Sequence, residues 1–231
     1  MKKLLPIAAF AFLSHITYAQ SIDVITGNYS TDLVYAIHGK APVKYENIKK
    51  GTPYFISDWL PATVILFDGR QFNNVMSKID LLEHRFIYLN NGVEYTAESK
   101  IREVIFNDSL NGKKYHFIHD SAFPNPVQKG DNGWYLVLTS GNVSAFMYII
   151  KKIEESREYN SAITNRNIEN SEKYFISYKN LLIPVKRLKD IPDILRDRQG
   201  ELNAYLNKEG MNKVTGESLG KLISYYNSFG K

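Results

Sequence analysis

The chain has 231 residues, 44% of them hydrophobic and 23% charged, with a formal net charge of +5 and no cysteine. That composition excludes a disordered polymer, a collagen-like repeat and a disulfide-stapled miniprotein, and it leaves one or two ordinary domains. Without cysteine neither a disulfide nor a thioether lipid can form, so stability must come from a packed core.

In chain order, residues 1–19 form the first unit. Lys2 and Lys3 precede an apolar stretch from Leu4 to Leu13, and Thr17 and Ala19 supply small side chains at its exit. The stretch is about half the roughly 20 residues that a membrane-spanning helix needs. It has the layout of a secretory signal peptide, with cleavage expected between Ala19 and Gln20. Cleavage leaves 212 residues and removes two lysines and no acid, so the net charge falls from +5 to +3. The densest basic cluster, Lys186, Arg187 and Lys189, alternates with apolar residues and ends at Asp190. No concentrated basic face for nucleic acid follows from it. A soluble protein of the periplasm or exterior is expected, with no nucleic-acid partner and no integral membrane segment after cleavage.

Residues 20–52 read as a leader of short extended pieces, interrupted at Asn28, Gly39 and Pro42. Residues 53–186 read as an antiparallel β domain of nine or ten short strands. The turn signals are Asp68-Gly69, Asn91-Gly92, Asn111-Gly112, Ser140-Gly141-Asn142 and Lys179-Asn180. Connections this short force antiparallel pairing. Segments 62–67 and 143–150 are apolar on both alternating faces and are expected to be central, covered on both sides. Residues 151–172 are polar and mixed in charge, and they read as an exposed, mobile excursion.

Residues 187–231 switch to helical spacing. Leu188, Ile191, Leu195, Leu202, Tyr205 and Leu206 form one apolar stripe, with Asp190 as N-cap, Pro192 in the first turn, Gly200 a point of division and Gly210 a stop. Thr215 caps a last helix bearing Leu219, Leu222, Ile223 and Tyr226 on one face. Helices this short need a surface to dock on. The expected fold is α+β, mainly β: an antiparallel meander, sandwich-like or a coiled sheet, with a small C-terminal helical cap.

The most suggestive chemical cluster is Tyr115-His116-Phe117-Ile118-His119-Asp120. Two histidines and a carboxylate suit metal binding or acid–base chemistry. On a strand, however, His116 and His119 project from opposite faces. His119 and Asp120 are therefore the weak catalytic candidates, on condition that the strand ends near Ile118. No nucleophile-elbow, zinc-protease, dinucleotide or phosphate-loop motif is present, and no cofactor or metal is expected. Paired carboxylates of glycosidase type are available in number but not in any legible spacing. Among 16 Tyr, 12 Phe and 2 Trp, Trp59 and Trp134 read as core anchors.

Gly51, Thr52, Pro53, Tyr54 and Trp59, then Val64, Leu66, Asp68 and Gly69, and finally Tyr225, Tyr226 and Asn227 form a pattern. It resembles an uncharacterised family of exported, signal-peptide-bearing proteins from Bacteroidota with no assigned activity. The resemblance implies export and a β-then-α layout. Asp108-Ser109-Leu110 and Asp120-Ser121-Ala122 also resemble the short O-glycosylation signal of exported proteins in that phylum. Together these features point to a non-catalytic binding or structural protein of the cell envelope, meeting an envelope component or a glycan or peptide ligand. The alternative is an envelope hydrolase using paired carboxylates or His119 with Asp120.

Overall fold

The computed structural model describes residues 39–98, 101–125, 133–157 and 164–230. The expected signal peptide, its cleavage point and residues 20–38 of the leader lie outside the described residues. About half of the structure is strand and a fifth helix, which makes the fold α+β and mainly β. The strands are β1 (Gly39–Lys40), β2 (Ile48–Lys50), β3 (Leu60–Leu66), β4 (Gln71–Asp80), β5 (Arg85–Asn90) and β6 (Val93–Ala97). They continue with β7 (Ile101–Asp108), β8 (Lys113–His119), β9 (Trp134–Thr139), β10 (Ser144–Arg157), β11 (Thr164–Tyr178) and β12 (Leu181–Val185). The helices are α1 (Ile191–Ile194), α2 (Gln199–Lys208) and α3 (Gly216–Ser228).

One sheet holds every described strand in the order β1-β6-β5-β4-β3-β7-β8-β9-β10-β11-β12, with β2 running parallel to β11 off that path. Two meanders therefore share β3, whose Ala62, Val64 and Leu66 are buried while Thr63 and Ile65 are half-buried. Turn chemistry fixes the register. Asn91 and Gly92 both adopt positive φ, 50° and 76°, as a two-residue turn matched to right-handed strand twist requires. Lys179 and Asn180 do the same between β11 and β12.

The sheet coils until distant strands meet. Trp134 Nε1 donates to the His84 carbonyl at 3.3 Å, and the His84 ring stacks on Tyr148 at 6.0 Å. Phe86 and Tyr88 of β5 share one apolar core with Trp134, Leu136 and Ile149. Farther along the same inner face, Val143, Ala145 and Ile176 are sealed by Leu202, Leu219, Leu222 and Ile223 of the helices, all fully buried. Each such leucine contributes about 1.5–3 kcal/mol. The outer face of β9–β12 carries a separate aromatic cluster of Tyr135, Phe146, Tyr148 and Phe175. So β10 is covered on both sides as far as Ile150, as its doubly apolar sequence there requires.

The α3 helix is fastened at both ends. Thr215 and Ser218 form a capping box. At the other end Asn227 clamps the β9–β10 turn: its Nδ2 donates to the Val143 carbonyl at 2.8 Å and its Oδ1 accepts the Val143 N–H at 3.0 Å. Tyr225 stacks on Tyr205 at 4.1 Å, and the Tyr226 hydroxyl donates to Asp197.

Four expectations need correction. Residues 151–172 are not an irregular excursion within the described residues: the β10–β11 ladder continues to Arg157 opposite Thr164. This stretch is polar and largely exposed, with only Lys151, Asn165 and Ile168 buried, so it carries no regular alternation, yet Ile153 lies opposite Ile168 and steadies the register. Gly200 sits inside α2, and the helical region divides instead at Leu195, with φ −99° and ψ 63°. The Asp190 side chain makes no cap and pairs with Arg187 at 2.7 Å. Trp134 is core, but Trp59 is only half-buried, with the Lys78 ammonium 4.3 Å above its ring.

Candidate functional site

The β8 strand ends at His119, and a short helical turn over Asp120–Ala122 brings His119 and Asp120 together, Nδ1 to Oδ1 at 3.1 Å. Ser121 completes a Ser–His–Asp trio in composition. The Ser121 N–H donates to His119 Nδ1 at 3.3 Å, and its Oγ lies 2.9 Å from the same nitrogen and donates to Asp120 Oδ1 at 3.2 Å. A proton relay needs the nucleophile and the carboxylate on opposite ring nitrogens. Here both sit on Nδ1, so the trio closes a turn. His119 also packs edge-on against Trp134 at 5.0 Å. His116 belongs elsewhere, on Glu103 Oε2 of β7 at 2.9 Å. Ser109 is exposed in the β7–β8 turn, beside Leu110, which is 94% exposed. Among the described residues no group of three or more His, Asp or Glu side chains is arranged to hold a metal ion.

A second polar group lies where the segment before β3 crosses the end of the coiled sheet. The Phe55 N–H donates to the Ile79 carbonyl and the Leu81 N–H to the Pro53 carbonyl, both at 2.9 Å. Gly51 must be glycine: φ is +81°, and a Cβ there would stand 2.4 Å from the Ile168 carbonyl oxygen. The Lys151 ammonium, almost fully buried, donates to the Thr52 carbonyl at 2.7 Å. Asp80 is 1% exposed and accepts from the Tyr45 hydroxyl and from the N–H groups of Leu82 and Glu83 at 2.9 and 3.0 Å. Burial pushes the Asp80 carboxyl up from its ordinary range, and these hydrogen bonds oppose the shift. Burial pulls the Lys151 ammonium down, against the pull of the Asp80 charge. Every one of these groups is satisfied inside the chain. The cluster therefore fastens a strap rather than presenting chemistry.

The third arrangement is open. Asn170, Glu172 and Tyr174 occupy alternate positions of β11 and so share one face. Opposite them the chain from Lys213 to Gly216 leads into α3, held in place by the Thr215 cap. Between them is a cleft of about 660 Å³, also lined by Met147, Ser171 and Val214. This falls within the volume range of small-molecule sites. The bare Gly216 lets the helix start approach the sheet, since a Cβ would lie 3.3 Å from Leu138. The Tyr174 hydroxyl donates to the Glu172 carboxylate. Burial, then that hydrogen bond and the negative charge, push the Tyr174 phenol up to about 12. Glu172 is the one carboxylate and Lys213 the one ammonium among the lining residues described. The cleft thus offers a tyrosine, a carboxylate, an ammonium and an amide beside an apolar patch, while the Thr215 hydroxyl is engaged in the helix cap.

No sequence motif marks this cleft, because it joins residues about forty positions apart. The Thr215 cap was its only legible component. Comparison of the chain with protein families, with curated proteins and with solved structures finds no match.

Proposed function

We propose that this is an exported, non-catalytic binding protein of the cell envelope whose ligand, a short glycan or peptide, lies in the cleft between β11 and the start of α3. The observation that carries the reading is the composition of that cleft: neutral hydrogen-bonding groups, one charge of each sign, and the apolar Met147 and Val214. Such a mixture suits a polar ligand with an apolar side, as sugars and short peptides are. Export rests on the basic, apolar and small-residue succession of residues 1–19.

Hydrolysis has less in its favour. A carboxylate pair needs two acids roughly 5–9.5 Å apart across a bond, and Glu172 is alone among the described residues that line the cleft. His119 and Asp120 are absorbed in a turn.

The test is calorimetric titration of the chain beginning at Gln20 against panels of oligosaccharides and short peptides. Tyr174→Ala, Glu172→Gln and Lys213→Ala are run beside the wild type. Tyr174→Ala is expected to weaken binding about tenfold or more, and the two charge variants to weaken it less. Binding that survives Tyr174→Ala unchanged, or turnover of any panel member, defeats the proposal.

A further inference from the structure

The β10 strand is more than three times as long as its pairing with β9, 14 residues against the four from Ala145 to Tyr148. That pairing stops at Tyr148, while β10 runs on to Arg157 against β11 alone. Among the described residues no strand pairs with the outer edge of β10 beyond Tyr148, and residues 152–157 are all exposed. Such an edge presents unpaired N–H and C=O groups to any strand that can match it.

The sequence on this edge nominates the match. Lys151-Lys152-Ile153-Glu154-Glu155 reverses its charge about the central isoleucine. Laid antiparallel against itself with Ile153 at the centre, it places Lys152 of each copy opposite Glu154 of the other. Directly opposed unlike charges on one face stabilise an antiparallel pair. Among the described residues neither Lys152 nor Glu154 is held in an ion pair, although Glu169 of β11 lies across from Lys152. The flanking Lys151 and Glu155 are already committed, to the Thr52 carbonyl and to Arg166 at 2.9 Å. Ile153 is one of the few large hydrophobic side chains left exposed, at 37%. Moving the centre one residue either way sets Lys152 against Lys152 or Glu154 against Glu154, so a single register is favoured.

We infer that this edge joins two copies of the chain, β10 against β10, antiparallel across a two-fold axis at Ile153, making one continuous sheet of both. The contact is isologous and closes at a dimer. It is independent of the cleft and of what the cleft binds.

Sedimentation equilibrium of the purified chain tests it, with Lys152→Glu, Glu154→Lys and the double exchange. The wild type is expected to dimerise reversibly. Each single variant creates two like-charge pairs and is expected to raise the dissociation constant at least tenfold. The double variant restores both unlike pairs and dimerises like the wild type. The two single variants, mixed, form a heterodimer. Unchanged urea midpoints for all variants, measured well below the dimer's dissociation constant, separate this effect from misfolding. A wild type that stays monomeric at its highest soluble concentration overturns the inference. So do single variants that dimerise as well as the wild type, or a mixture that forms no heterodimer.

Discussion

From Ala145 to Tyr148 β10 lies between neighbours, with β9 beside it, the helices beneath and aromatic side chains above. From Lys152 to Arg157 the same strand is exposed throughout, although its ladder to β11 runs unbroken through both halves. The ladder to β11 is the same in both and the surroundings are opposite. Net hydrogen-bond contributions are small beside apolar burial. The near half therefore carries the stability of the pair, and the far half is held by register and by Ile153 against Ile168.

That contrast can be broken most severely in the near half. Ile176 is fully buried beneath the helices, opposite Ala145. Ile176→Ala is expected to lower unfolding stability by about 2–5 kcal/mol through lost burial and a cavity, measured as a shift in urea midpoint.

An intermediate effect belongs to the boundary, where Lys151 and Asp80 stand at the strap. Asp80→Ala leaves the Tyr45 hydroxyl and two N–H groups without their acceptor and should cost about 1–3 kcal/mol. Asp80→Asn keeps an acceptor and removes the buried charge. Because burial raises the native Asp80 carboxyl, the stability it contributes is complete below its ordinary 3.8 and is lost as pH rises through the raised value. Asp80→Asn is therefore expected to gain on the wild type as pH is raised from about 4 to 7, read from urea unfolding at both ends. A constant difference would contradict that assignment.

The smallest effect is expected in the far half. Arg166→Ala removes an ion pair with Glu155 whose side chains are about half exposed, and should cost under about 0.5 kcal/mol. Thermal melts of the same protein at low and high salt would sharpen the point, since an exposed pair weakens with ionic strength.

What could be read from the sequence follows the same division. Asn91-Gly92 announced its turn because two positive φ angles leave few residue choices. Thr215 announced its helix because the first N–H groups need an acceptor. Periodicity failed for residues 151–172 because burial there is uneven: Lys152–Arg157 and Glu169–Glu172 are exposed, while Lys151, Asn165 and Ile168 are buried. Nothing in the sequence singles out Asp80, because the crossing strap that buries it is distant along the chain. The nearness of His119 and Asp120 was legible. That both partners sit on one ring nitrogen was not, because it depends on the angle of a single turn. Gly51 and Asn227, members of the pattern that suggested a family, proved to be fasteners: one permits a close crossing and the other clamps a turn.

The Asn227 clamp has a consequence for how the molecule is made. The lid over Val143, Ala145 and Ile176 comes from Leu202 and α3, which follow every described strand along the chain, and its latch is Asn227. Synthesis delivers those residues after every strand, so a nascent or truncated chain holds a greasy, unroofed sheet that invites aggregation. Roofing of this part of the sheet therefore has to wait for α3.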